Sequence, residues 1–237
     1  MFRGINLKNI LFLDIETVPL YQDFSMLSAL EQELFQTKIR RQISDDITVD
    51  ELYQRAGIWA EFGKIICISV GYFFLKKDQR NFRITSFYGD EKAILEDFSN
   101  LVNKHFSQTE HLFCGHNIKE FDIPYIARRM LINGLTLPDK LQLFGKKPWE
   151  VPHLDTLELW KFGDYKHYIS LRLLSNILAV ASPKEDIDGS MVGEIYYKDK
   201  DIERIVDYCQ GDVITVAQIL LRLKGETLLE QDEISVL

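Results

Sequence analysis

Cysteine is scarce. The chain of 237 residues has three, at positions 67, 114 and 209, in apolar stretches and without metal-ligand spacing. An odd, scattered set excludes a disulfide framework and a zinc ribbon, and it suggests reduced thiols in a cytoplasmic protein. Long apolar runs are missing too. None approaches the roughly 20 residues a membrane-crossing helix needs. The first residues, with Arg3, Lys8 and Asp14, lack the apolar core of a signal peptide, so a soluble chain is expected. Excess positive charge is absent. With 36 acidic and 28 basic residues the formal net charge is -8, which excludes a protein that coats nucleic acid through bulk charge. An enzyme acting on nucleic acid is not excluded, because a metal site needs acids and a basic groove can be local. There are no repeats and no low-complexity segments.

What is present begins with Leu11-Phe12-Leu13-Asp14-Ile15-Glu16-Thr17. The run from Ile10 to Leu13 reads as a strand buried on both faces. Side chains alternate along a strand, so Asp14 and Glu16 point to one side near its end. Two carboxylates at the edge of a core need a cation, a donor or water to stay charged. A divalent metal is the simplest answer.

The rest of the chain alternates. Residues 25–43 carry a helical pattern through Met26, Leu27, Leu30, Leu34, Ile39 and Ile43. A second helix is predicted over 48–56, with Thr48 and Glu51 forming a capping box. Together they read as a helical insertion at about 25–56 within a single domain spanning 1–237. This insertion is where a tethered partner protein would be sought. Strands follow at 64–75 and 82–88, a helix at 90–105, a short strand at 111–114 and a helix at 122–133. Residues 138–153 read as a loop with room for one strand. Helices are expected at 155–162 and 170–180, a long connection at 182–200, a final helix at about 199–224, and a polar tail. This order predicts an α/β domain with a mixed sheet.

Acidic residues mark three element ends: Asp14 and Glu16, then Asn117-Ile118-Lys119-Glu120-Phe121-Asp122, then Tyr208-Cys209-Gln210-Gly211-Asp212. Tyr208 and Asp212 are four apart and share a helix face. Together these motifs resemble the three exonuclease motifs of the DEDD 3′–5′ exonucleases, tyrosine branch. The histidine branch would place histidine where Asp207 stands. The resemblance runs from residue 10 to about 222. It is closest to the stand-alone predicted exonucleases related to the proofreading domain of family B DNA polymerases, a group that Glu61–Ser69 and Ser182–Ser190 also resemble.

The resemblance implies a ribonuclease H-like fold with a five-stranded mixed sheet flanked by helices, and two Mg²⁺ or Mn²⁺ ions. It implies that Asp14 bridges both ions, that Glu16 and Asp212 complete the nucleophile-side site, and that Asp122 holds the second ion through water. Tyr208 would orient the attacking water. Thr17, Asn117, Phe121 and Arg128 are expected substrate contacts. The implied substrate is the 3′ end of single-stranded DNA, with RNA trimming or a non-catalytic nucleic-acid-binding module as alternatives. A replication or repair protein would be the partner. Other residues have plainer readings: His116 as a loop histidine, Ser170 as a helix cap, and His153 with Asp155 as a superficial zinc fragment. The aromatic and basic stretch Trp160–Tyr168 reads either as a single-strand platform or as core.

Overall fold

A computed structural model describes residues 4–43, 47–164, 166–181 and 187–237. The elements are β1 (Ile10–Pro19), α1 (Ala29–Ile39), α2 (Val49–Tyr53), β2 (Gly63–Lys76), β3 (Gln79–Tyr88), α3 (Glu91–His105), β4 (Leu112–Gly115), α4 (Asp122–Ile132), β5 (Leu154–Asp155), α5 (Thr156–Lys161), α6 (Leu171–Ile177), α7 (Val192–Glu194), α8 (Ile202–Lys224) and β6 (Ile234–Val236). The sheet has six strands in the order β5-β4-β1-β2-β3-β6, not five. β1 pairs antiparallel with β2 and parallel with β4.

The sixth strand comes from the residues expected to be a polar tail. Ile234 pairs with Phe82 and Val236 with Ile84, in parallel. Arg80 fastens this end by donating to both Glu233 carboxylate oxygens, each at 3.0 Å. A three-residue strand carries too little periodicity to be seen in sequence.

β1 runs through the middle of the core, as its apolar run requires. Leu11, Leu13 and Ile15 face Ile94, Phe98, Ile123 and Met130 of α3 and α4. Ile10 and Phe12 face Val213, Val216 and Leu220 of α8. Period two therefore carries Asp14 and Glu16 onto the α8 side. Pairing of β1 with β4 runs from Ile10–Leu112 to Phe12–Cys114. Asp14 thus lies just past the paired stretch, at the crevice where α/β sheets place ligands. A bulge between Glu16 and Thr17 re-aims the strand there.

The segment between β1 and β2 packs around Phe35, whose ring lies 5.1–6.0 Å from those of Phe24, Tyr53, Trp59 and Phe62. Of the six apolar positions of the expected pattern, two are buried and four are not. Met26, Leu30, Leu34 and Ile43 are exposed, while Phe35, Ile39 and Leu27 are buried. Aromatic rings bury more area than leucines, and their cluster sets the rotation of α1. The Thr48–Glu51 capping box is present at α2.

The loop 138–153 contains no strand; β5 begins just after it. In the connection before α8, residues 182–186 lie outside the described residues, and α7 forms one short helical turn. Phe162 and Tyr168 are exposed, whereas Trp160 packs beside Leu174 and Ile219. Tyr165 lies outside the described residues. Among the described residues no helix is long and apolar enough to cross a membrane.

Candidate active site

The acids meet at Asp14. Its carboxyl is pushed well above the usual carboxylate range, first by burial and then by the charges of Asp212, Asp122 and Glu16. Four acids from β1, α4 and α8, far apart in sequence, therefore share one electrostatic field. Glu16 is buried. Ligand atoms of Asp14, Glu16 and Cys209 all lie within 4.8 Å of one another, close enough to hold one ion.

Asp122 is almost fully buried at the first position of α4. The helix N-cap is Phe121, with no side-chain cap bond, so a cap-only role for Asp122 does not apply. Burial raises its carboxyl to about 7; the Asp155 charge adds to this, and its own and Ile15's backbone N–H groups oppose it. The Asp14 and Asp122 carboxyls are both pushed toward their neutral forms, a cost that a bound cation would relieve, so the donor set fits a hard divalent ion.

The sign of the pH effect follows. Folded-state carboxyl pKa values above the unfolded value, roughly 4, mean that the metal-free fold loses stability as pH rises from that value through the folded one. A bound divalent ion would take the place of those protons. We expect Mn²⁺ in about 100-fold excess over its Kd to stabilise the protein at pH 8 by about 3 kcal/mol. That corresponds to roughly 6–10 °C in Tm for a chain of this size. The gain should shrink toward zero at pH 5. Thermal melts across pH would test this, and a gain as large at pH 5 as at pH 8 would sink it.

A partly buried polar chain leads to Asp14. Gln210 Nε2 donates to Ser86 Oγ at 2.9 Å, and Ser86 Oγ lies 2.8 Å from Ser69 Oγ. Ser69 Oγ lies 3.7 Å from Cys67 Sγ, and the Cys67 and Cys209 thiols are in hydrogen-bond contact. The Cys209 thiol donates to the Asp14 carboxylate and backbone oxygens, each at 3.4 Å. Burial keeps Cys209 protonated, and therefore a donor. Cys209, which the sequence shows only as a cysteine in an apolar stretch, is placed to position the Asp14 carboxylate. Cys209→Ala should lower kcat or Mn²⁺ affinity about fivefold to tenfold, the worth of one such donor. Cys209→Ser keeps a donor and should restore most of it. Equal defects in both variants would contradict this.

The middle motif is aimed by a residue that sequence reasoning undervalued. Asn117 adopts a left-handed backbone, with φ 61°, which asparagine tolerates. Its N–H donates to Asp155 Oδ1 at 2.9 Å, and the Lys119 N–H to Asp155 Oδ2 at 3.2 Å. Asp155 also caps α5 through the Leu157 N–H, at 3.0 Å. An aspartate opening a helix was the available signal. His153 is no zinc ligand fragment. Its Nδ1 accepts from the Phe113 N–H at 3.1 Å, its ring stacks on Phe113, and burial lowers its pKa to about 4. His116 bonds the Thr156 hydroxyl and the Ile169 carbonyl. Ser170 caps α6.

Of the expected substrate contacts, Thr17 and Phe121 line a cavity beside Glu16. Asn117 sits in the turn before α4. Arg128 is exposed on α4 and is not part of that cavity wall. Its neighbour Arg129 is buried and pairs with Glu91. Tyr208 is partly buried near Val18 and Val192, one helical turn before Asp212.

A sheet of this order with carboxylates gathered where β1 passes β4 defines a nuclease-like α/β domain. The fold matches that of the family B DNA polymerase from the hyperthermophilic archaeon Pyrobaculum calidifontis, with a TM-score of 0.54 and 17% identity. The match covers 90% of this chain and 24% of the polymerase chain, so the chain spans about a quarter of that protein's length. No curated protein matches. The sequence model described as "Predicted 3'-5' exonuclease related to the exonuclease domain of PolB" matches residues 58–233. The chain belongs to this family. The matched range contains Asp122, Tyr208 and Asp212; Asp14 and Glu16 precede it, and the structure brings them in.

Proposed function

We propose that this chain is a metal-dependent 3′–5′ exonuclease that removes nucleotides from the 3′ end of single-stranded DNA and releases nucleoside 5′-monophosphates. One observation carries this reading: the Asp14 carboxyl lies in the combined field of Asp212, Asp122 and Glu16. Such a cluster is costly in a fold and useful in phosphodiester hydrolysis. The core is ribonuclease H-like, with β6 added to the edge of the five expected strands.

In this reading Asp14, Glu16 and Asp212 would hold one Mg²⁺ or Mn²⁺, and Asp14, with Asp122 acting through water, would hold a second. Divalent ions bound there supply positive charge against the phosphate and lower the pKa of water. The chain's own residues do the rest. Asp14, held by Cys209, fixes the geometry at the centre. Tyr208 orients the attacking water through its phenolic oxygen. Water gives up a proton and attacks phosphorus, the bond from phosphorus to the preceding nucleotide's 3′ oxygen breaks, that oxygen takes up a proton, and the phosphate stays on the 5′ oxygen of the released nucleotide. Phe121 and Thr17 meet the terminal nucleotide, and Arg128 and Asn117 remain proposed outer contacts.

DNA is preferred over RNA on the strength of the polymerase likeness. Three free, buried thiols fit a cytoplasmic setting, and a replication or repair protein is the proposed partner. The test is a time course on 5′-labelled single-stranded DNA and RNA of one sequence, with Mn²⁺ or EDTA. A ladder shortening from the 3′ end only with metal is expected, faster on DNA. A faster RNA ladder would replace the substrate. Binding without cleavage would leave a binding module.

A further inference from the structure

Every metal ligand the proposed reaction needs is an oxygen, but a sulfur stands among them. Cys209 Sγ lies 3.4 Å from Asp14 Oδ2, and ligand atoms of Asp14, Glu16 and Cys209 fall within 4.8 Å of one another. Mg²⁺ takes oxygen ligands in a near-octahedral shell and keeps several waters, so it has no use for a thiol.

The fold presents this sulfur to the acids. α8 passes over β1 and β2, and the Cys209 side chain packs there with Val206 and Cys67, fully buried. Cys67 stands opposite Glu16 in the β1–β2 ladder. Residues opposite one another project from the same face of a sheet, so the Cys67 thiol rises on the side of Glu16 and meets Cys209. A second sulfur therefore backs the first, in the place that an outer hydrogen-bond partner of a metal ligand occupies.

The spacing suits an ion that accepts both sulfur and oxygen. Zn²⁺ binds thiolate at about 2.3 Å and carboxylate oxygen at about 2.0–2.2 Å in a tetrahedral shell. A sulfur and an oxygen on one such ion stand about 3.6 Å apart, close to the 3.4 Å between Cys209 and Asp14. Soft thiolate ligands favour ions of this kind, whereas carboxylates and water suit Mg²⁺ and Mn²⁺.

We propose that Asp14, Glu16 and Cys209 form a site for a thiophilic divalent ion of the zinc class, which competes with Mg²⁺ for the two carboxylates and stops the nuclease. On binding, a sulfur–metal bond forms as the S–H bond of Cys209 breaks. The proton goes to solvent, and nothing is oxidised or reduced. Asp14 and Glu16 are then engaged in a tetrahedral shell and are lost to the octahedral one. With a hard ion the sulfur keeps its proton and positions Asp14. Inhibition rests on the exonuclease reading; binding of the ion does not.

The probe is Cd²⁺, which shares the ligand preferences of zinc and gives an ultraviolet charge-transfer band when a thiolate binds it. Titrated into the metal-free protein, it should raise this band to a plateau at one ion per chain. Cys209→Ser should remove the band and weaken Cd²⁺ binding about 100-fold, while Mn²⁺ affinity moves no more than about threefold. Cys67→Ala should keep the band, with Cd²⁺ affinity about tenfold lower. Melting curves in Mn²⁺ check that both variants fold. In wild type, saturating Mn²⁺ should raise the Cd²⁺ concentration needed to reach half the band. A band that survives in Cys209→Ser would overturn the proposal, as would one indifferent to Mn²⁺. So would a Mg²⁺-driven digestion of single-stranded DNA that Zn²⁺ leaves unaffected. Band and competition in a protein that cleaves no strand with any metal would uphold the site and overturn the exonuclease reading instead.

Discussion

Asp14→Asn is expected to lower exonuclease activity by about 10³-fold or more, because it removes the ligand shared by both proposed ions. The same change should make the metal-free protein more stable at pH 8. The Asp14 carboxyl is raised by burial and by Asp212, Asp122 and Glu16, so its charge is a cost of folding that a neutral amide avoids. A rise in metal-free Tm of several degrees is expected, with the Mn²⁺-dependent gain largely gone. Activity and stability thus move in opposite directions, which an ordinary structural aspartate would not produce. Activity within tenfold of wild type would refute the catalytic assignment. An unchanged or lower metal-free Tm would refute the electrostatic argument.

Arg129→Ala should have the largest effect on stability. Arg129 is 5% exposed. Its Nε donates to Glu91 Oε1 at 2.8 Å and its Nη1 to the Ala60 carbonyl at 2.9 Å. Glu91 also accepts from the Ile65 N–H at 2.7 Å and from Asn133 at 3.0 Å. One ion pair therefore ties α4, α3, the start of β2 and the turn at Ala60 together. Removing one partner strands the Glu91 charge, at a cost of about 3–5 kcal/mol, or roughly 10 °C in Tm. Arg129→Lys loses the bidentate fork but keeps the charge, so it should fall between. A Tm change under about 2 °C in the alanine variant would contradict the pairing.

Local chemistry was legible in the chain. The alternation around Asp14 and Glu16 fixed their common side, because strand periodicity is independent of the fold. Thr48 and Glu51 announced α2, because a capping box closes within four residues. The apolar runs of β1, β2 and α8 and the three spaced motifs pointed to the family without any contact map. What stayed hidden depended on distance. Only the tertiary structure rotated α1 onto Phe35, since that choice belongs to rings drawn from beyond the helix as well as from it. Only the fold turned the residues after 230 into a sixth strand, since three residues gain a partner in β3 and nothing from their own pattern. It alone set Cys209 against Asp14, and brought Gln54, Arg55 and Ile58 to the cavity beside Glu16. Sequence encodes periodicity and caps through near neighbours. Hydrogen bonds and cavities between residues tens to hundreds of positions apart exist only once the sheet has set the register.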